Sequence, residues 1–363
     1  MLANGLPAVQ PVVSPSNGKV PEDDVLLEVK DLKVYFTMRE GVTRAVDGIS
    51  YTLHRGETLG IVGESGCGKS VTAQSILRIV PSPGRIVGGQ ILYHRRRTDS
   101  AGQVTTDIID LVKLDPEGSE IRHIRGDEIA YIFQEPSATL SPVHTIGHQI
   151  IETIQLHQHV DKALARKRAI GVLDRVGMVQ PSQTIDRYPH QMSGGQRQRA
   201  VIAIALSCRP SLLIADEPTT ALDVTTEAQI LDLIQELQRE YGMAVQFITH
   251  NLGVVAEMAD NVVVMYLGRQ IEQAMVDDLY FNARHPYTQA LLRAIPKLGK
   301  KSGERLESIR GMVPDPYSIP KGCPYHPRCP RYLPGICDDP QWIEVSAQHF
   351  ARCSRALETV THA

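Results

Sequence analysis

Apolar and polar positions alternate along "LLEVKDLKVYF" (26–36) well enough to predict a strand, and "ISYTLHRGE" (49–57) reads as a second that ends in a turn at Gly56. "TLGIV" (58–62) is a short apolar run that stops at a glycine-rich stretch, the pattern of a buried parallel strand. From Ser70 to Val80 the spacing turns helical and ends before Pro81. Residues from about 137 to 190 are mostly helical in pattern. Three further buried strands are predicted at "LLIAD" (212–216), "AVQFIT" (244–249) and "NVVVMYLG" (261–268). A helical stretch, "TEAQILDLIQELQREYG" (226–242), separates the first two. Strand, helix, strand alternation implies an α/β fold with a parallel sheet covered by helices.

The remaining segments are polar or rich in proline. "HRRRTDSAGQVTTD" (94–107) is expected to be an exposed loop with its three arginines solvated. The first 24 residues hold four prolines and no basic start followed by an apolar block, so they are read as a disordered leader rather than a secretory signal. No stretch reaches the eighteen or so uninterrupted apolar residues of a membrane span. A net charge of −3 in 363 residues gives no whole-chain case for nucleic-acid binding. The expected location is therefore cytoplasmic, with the six cysteines as reduced thiols or metal ligands.

The chemistry starts at "GESGCGKS" (63–70), which has four free positions between two glycines, then Lys and Ser. Gly63, Gly66 and Gly68 let the backbone curl so that several N–H groups face one anion, and the following helix adds its positive end. Lys69 would reach the outer phosphates and Ser70 would ligate Mg²⁺. The candidate nucleotide contacts run from Gly63 through Glu64, Ser65, Gly66, Cys67 and Gly68 to Lys69, Ser70 and Val71. "LLIADE" (212–217) supplies acids at a strand end: Asp216 for Mg²⁺ through water and Glu217 to polarise an attacking water. "SGGQRQR" (193–199) opens a second helix start, where Ser193, Gly194, Gly195 and Gln196 are candidates to hold another subunit's ATP.

In that order and spacing, these motifs resemble the ATP-binding cassette (ABC) proteins. The remaining marks follow: Gln134 in "YIFQEP", "ALD" (221–223) and His250 in "ITHN". The resemblance implies a P-loop ABC ATPase core with an antiparallel β subdomain, a helical subdomain and a small Cys-rich C-terminal domain. It implies Glu217 as the catalytic base, His250 on the γ-phosphate, Gln134 sensing Mg²⁺ and the γ-phosphate, and Asp223 at a dimer seam. Adenine is expected to stack on Phe36, with Tyr35 as the rival. The expected domains are the leader (1–24), a nucleotide-binding domain (25–275, helical subdomain about 137–195) and a C-terminal domain (276–363).

About 120 residues separate Ser70 from Ser193, with no sustained heptads, which leaves no room for the coiled coils of chromosome-type relatives. One cassette rather than two argues against translation-type relatives. "RHPYTQALLRAIP" (284–296) resembles the ATPase subunits of oligopeptide and dipeptide importers. That implies a motor on the cytoplasmic face of the cell membrane, paired with a second cassette, a paralogue in this subfamily. Two permease subunits and an extracellular or periplasmic binding protein complete the expected assembly. Nickel, glutathione or an oligosaccharide remain alternative cargoes, and a soluble non-transport ATPase the alternative class.

Cys323, Cys329, Cys337 and Cys353 gather near the C-terminal end, with five, seven and fifteen residues between successive members. Clustered thiols in a reducing compartment favour a metal over disulfides. The close pairs common in zinc sites are absent, and four separated thiolates also suit a [4Fe–4S] cube. "GCPYHPRCP" resembles peptide-importer tails that carry an iron–sulfur cluster, which favours [4Fe–4S] with Zn²⁺ as the alternative and a structural role.

Overall fold

The computed structural model describes residues 24–98, 102–135, 139–220, 222–295 and 309–358. Nearly all of the expected leader therefore lies outside the described residues. Twelve strands run through them: β1 (Val25–Thr37), β2 (Val42–His54), β3 (Thr58–Val62), β4 (Gly84–Thr98), β5 (Val104–Asp110), β6 (Ile129–Ile132), β7 (Leu212–Asp216), β8 (Ala244–Thr249), β9 (Asn261–Tyr266), β10 (Arg269–Met275), β11 (Trp342–Ser346) and β12 (His349–Arg352). They form two sheets, β2-β1-β4-β5 and β11-β12-β10-β9-β3-β8-β7-β6.

In the larger sheet β3, β7 and β8 are buried at every position, which is why they read as mainly apolar runs rather than alternating ones. β6, β7, β8, β3 and β9 pair in parallel, whereas β10, β12 and β11 are added antiparallel. The helix Lys69–Ile76 starts one residue ahead of the expected Ser70 and ends well short of Val80.

Helices Ile146–Gln158, Lys162–Arg175 and Gly194–Leu206 build a helical unit around Ile150, Ile154, Ala169, Leu173 and Ile202. Thr145 and Asp161 cap the first two, accepting the His148 and Leu164 N–H groups, each such cap stabilising by about 1 kcal/mol.

The polar stretch expected as a loop is strand at both ends, in β4 up to Thr98 and in β5 from Val104. β4 and β5 pair from Leu92↔Asp110 to Thr98↔Val104, with residues 99–101 outside the described set. Arg95 is not solvated: strand alternation turns it inward, where Nε donates to Glu128 (2.8 Å) and Nη1 to Glu120 (2.6 Å). Hydrophobicity alone misses such a position, because a buried charge that finds acidic partners leaves no apolar mark.

The C-terminal segment joins the main sheet rather than standing apart. β12 pairs with β10 through Glu272↔Ala351 and Gln273↔Phe350. Glu272, fully buried on β10, accepts N–H groups of Arg284 (2.5 Å) and His285 (3.0 Å) and faces His349 Nε2 at 2.8 Å. His349 Nδ1 reaches Asp278 at 2.7 Å. Burial disfavours the imidazolium, but Glu272 and Asp278 outweigh it and hold the His349 pKa above its ordinary value.

A raised folded pKa means stability that is complete below the unfolded value of about 6.5 and is lost as pH climbs through the folded one. Chemical denaturation at about pH 6 and about pH 9 is expected to show His349→Ala costing about 3–5 kcal/mol at the lower pH and clearly less at the higher. An equal loss at both pH values would refute the charged pair.

Candidate functional site

β3 delivers the chain directly into the glycine-rich loop. Gly63 lies so close to neighbouring backbone that a Cβ would meet the Met265 carbonyl at 2.3 Å. Gly68, at φ +102°, would place a Cβ 2.1 Å from the Ala45 carbonyl and sits directly before the helix beginning at Lys69. Only glycine tolerates both the left-handed backbone and that approach. Gly66 faces open space, and Ser65 and Gly66 are exposed. Cys67 is buried, which pushes its thiol up, and Val71 packs on the core.

Lys69 is buried, and its Nζ donates to the carbonyls of Gly63 (2.8 Å) and Glu64 (3.2 Å). The ammonium is thus held inside the curl by weak acceptors that an anion would replace.

β7 places Asp216 at its last position, buried, with Oδ2 accepting from Tyr131 Oη at 2.8 Å and Ser70 nearby. Burial raises the Asp216 pKa, and Oδ1 is buried with no partner. An orphaned carboxylate oxygen beside Ser70 fits a divalent cation, which supplies the missing contact and the counter-charge.

One residue on, Glu217 adopts φ +47°, a left-handed conformation that costs about 1–3 kcal/mol outside glycine. Its N–H donates to the Ile248 carbonyl at 2.8 Å. Its carboxylate accepts from Gln134 Nε2 (3.1 Å) and Thr220 Oγ1 (3.1 Å) and lies 3.0 Å from His250 Nδ1. Gln134, Glu217 and His250, far apart in the chain, converge on one another.

The Ser193 segment stands apart from this group. Ser193 caps the helix Gly194–Leu206 in a reciprocal box: Gln196 N–H donates to Ser193 Oγ (3.3 Å), and Ser193 N–H to Gln196 Oε1 (3.1 Å). Asp223 caps the helix Val224–Tyr241, accepting from Thr226 N (2.9 Å) and Oγ1 (2.8 Å). Gly195 lets these two helix starts meet, since a Cβ there would come 2.8 Å from Thr226 Cγ2. Ala221 lies outside the described residues. Phe36 packs partly buried against Gly84 and the core, while Tyr35 Oη donates to Asp47 at 2.8 Å with Arg44 over its ring.

Such a site has close counterparts elsewhere. The ABC transporter family matches residues 46–220, and the oligopeptide/dipeptide transporter C-terminal region matches residues 271–337. A probable peptide ABC transporter ATP-binding protein of Sinorhizobium fredii, y4tR, is 47% identical over 94% of this chain and 98% of its own. This chain belongs to the peptide branch of the ABC transporter ATP-binding proteins. The dipeptide transport ATP-binding protein DppD of Escherichia coli is 46% identical to this ABC ATPase over 84% of the chain and 88% of its own length. The oligopeptide transport ATP-binding protein AppD of Bacillus subtilis is 46% identical over 85% and 89%. A dimeric post-hydrolysis structure of the ATP-binding cassette MJ0796 with ADP and Pi aligns at a TM-score of 0.58 and 26% identity, covering 69% of the ABC ATPase and 99% of that chain.

Four residues outside the sequence-based set touch the site: Tyr131 on Asp216, Thr220 on Glu217, and Tyr287 and Arg328 on Glu64. Tyr131 was visible in "YIFQEP", three positions before Gln134, but a tyrosine in an apolar strand carries no sign of its hydroxyl's partner. Tyr287 and Arg328 lie more than 220 positions from Glu64, and no local pattern joins them.

Cys323, Cys329, Cys337 and Cys353 line one small cavity of about 20 Å³, with Arg331 and Arg355 beside them. Cys323 Sγ lies 3.9 Å from His285 Nε2. Burial pushes the Cys323 thiol up to about 11 and raises Cys329 and Cys353 as well. Thiols gathered in an apolar pocket beside cationic side chains fit a metal that would take them as thiolates. Among the described residues no three of these sulfurs lie within 4.8 Å of one another. Two sulfurs about 2.3 Å from one zinc ion are at most about 4.6 Å apart, so this spacing is wide for a single zinc.

Gly68→Ala should abolish nucleotide binding, measured by titration calorimetry with MgADP, while the far-ultraviolet spectrum stays unchanged. Binding within about twofold of wild type would show that the loop does not need its left-handed turn.

Proposed function

We propose that this ABC ATPase is the ATP-hydrolysing motor of a membrane importer for dipeptides or oligopeptides. The observation that carries the catalytic reading is the convergence of Gln134, Thr220 and His250 on the Glu217 carboxylate, beside Asp216 and the phosphate loop. Glu217 orients a water for in-line attack on the γ-phosphorus and accepts its proton, while the bond to the bridging oxygen breaks and ADP departs. His250, its Nδ1 directed at Glu217, holds that carboxylate and presents the other ring nitrogen to the γ-phosphate. Lys69 exchanges its two carbonyl acceptors for phosphate oxygens. Ser70, Gln134 and Asp216 would hold Mg²⁺, which neutralises charge building on the phosphates.

Two cassettes close around two nucleotides, each Ser193–Gln196 segment completing the opposite site, with Asp223 at the seam. Ser193 and Asp223 cap their own helix starts and stand apart from Glu217, so a second cassette is what brings a second helix N-terminus to the triphosphate. The second cassette is a paralogue. Two permease subunits and a binding protein complete the assembly at the cytoplasmic face, and residues 135–142 pass the closing motion to a permease; of these, 136–138 lie outside the described residues. Among the described residues no helix is long and apolar enough to cross a membrane. Phe36 is the adenine platform in this reading. The peptide cargo is supported by the relatives, a dipeptide and an oligopeptide transport ATP-binding protein among them, and is favoured over nickel, glutathione or an oligosaccharide. The domains follow as a nucleotide-binding unit to about residue 275 and a C-terminal unit beyond it.

The C-terminal unit holds a [4Fe–4S] cluster on Cys323, Cys329, Cys337 and Cys353. Each cysteine would bind its own iron, which accommodates sulfurs spread more widely than around one zinc ion. Its role is to staple a segment with little core of its own.

Glu217→Gln is expected to bind ATP and dimerise with the partner cassette while steady-state turnover falls by about 100-fold or more. Turnover at the wild-type rate would remove Glu217 from the base role. Protein purified without oxygen is expected to absorb broadly near ~400 nm and contain about four irons per chain. One zinc and no iron would replace the cluster by the alternative ion.

A further inference from the structure

Glu64, the second residue of the phosphate loop, has every polar group engaged, and two of its partners come from the C-terminal third of the chain. Its carbonyl holds Lys69 Nζ at 3.2 Å, and its N–H donates to Tyr287 Oη at 2.9 Å. Its carboxylate is gripped end-on by Arg328, Nη1 donating to Oε2 at 2.7 Å and Nη2 to Oε1 at 3.0 Å. The Arg328 side chain is only 3% exposed. Its Nε donates to the Arg310 carbonyl (3.0 Å), Nη1 also to Tyr266 Oη (3.3 Å), and the guanidinium lies over the Tyr266 and Tyr325 rings. A planar fork held at three nitrogens and packed against two aromatic rings has one orientation, so the Glu64 carboxylate has one as well.

Glu64 is also the only acidic residue from Gly63 to Val71. Left without its guanidinium, that carboxylate would stand as a fixed negative charge in the loop that receives a polyphosphate. We propose that Arg328 is a positioning residue for nucleotide binding: it neutralises and orients Glu64, and so makes the phosphate loop's affinity depend on the C-terminal segment that carries Arg328. The inference rests on reading residues 63–70 as the phosphate loop and is indifferent to which metal the neighbouring cysteines hold. Arg328 acts through Glu64 and need not touch the nucleotide.

The test uses the full chain, with metal content matched between variants and MgADP binding read by titration calorimetry. Arg328→Gln is expected to weaken binding about tenfold, and Arg328→Lys to recover part of the loss. Adding Glu64→Gln to Arg328→Gln should return the affinity to within about twofold of wild type, because the uncompensated charge is gone. A purely structural role for Arg328 predicts the opposite, since the second substitution removes one more contact. Unchanged binding in Arg328→Gln, or no recovery in the double variant, overturns the proposal. Should Arg328→Gln fail to fold, Arg328→Lys decides, because it keeps the charge and loses the two-point grip on Glu64: MgADP binding weakened several-fold supports the proposal, and unchanged binding overturns it. Wild-type protein that does not bind MgADP would instead refute the phosphate-loop reading itself.

Discussion

Parallel pairing aligns Val62 with Thr249, Asp216 with Ile248 and Ile132 with Ala215, so β3, β8, β7 and β6 end together at one edge of the sheet. The segments that meet around Glu217 and Lys69 leave from that end: the glycine-rich loop after β3, Glu217 after β7, His250 after β8 and Gln134 after β6. A slip of one residue in any pair would turn a buried face outward and separate Glu217 from its partners. The strands are buried on both sides, and their packing supplies the rigidity that lets four backbone exits hold side chains within hydrogen-bonding distance.

Charge is treated differently at the site and away from it. Away from it, buried ions are compensated: Arg95 with Glu120 and Glu128, Glu272 with His349. At the site, Asp216 keeps an oxygen without a partner, Lys69 rests on neutral carbonyls, and Glu217 holds a left-handed backbone. Compensation elsewhere lets the sheet carry this local strain, since a buried, half-satisfied group costs about 1–3 kcal/mol. What is left unsatisfied is what a cation and a polyanion would satisfy.

Much of this was legible in the sequence. β7 and β8 begin and end where their predicted runs do, because strands buried on both faces favour apolar side chains; the one glutamine, Gln246, is buried with its Oε1 accepting from Tyr51 Oη at 2.8 Å. The phosphate loop was legible for a related reason: close backbone approach leaves only glycine at positions 63 and 68. The β4–β5 hairpin was not, since its arm carries Arg95, Arg96 and Arg97 and is stabilised by ion pairs and cross-strand bonds rather than by an apolar face. Nor were the contacts of Tyr131, Tyr287 and Arg328, which depend on tertiary distances that periodicity does not encode.

The antiparallel addition of β12 and β11 to β10 has a consequence beyond the geometry of the site. β10 carries a row of main-chain donors and acceptors that, uncovered, would be free to recruit a strand from another molecule. The hairpin occupies that row and moves the sheet's outer boundary to β11, a short strand of five residues bearing Glu344 and an exposed Trp342. Loss of the last forty or so residues would therefore leave not a smaller ATPase but a sticky one, prone to open-ended association through β10.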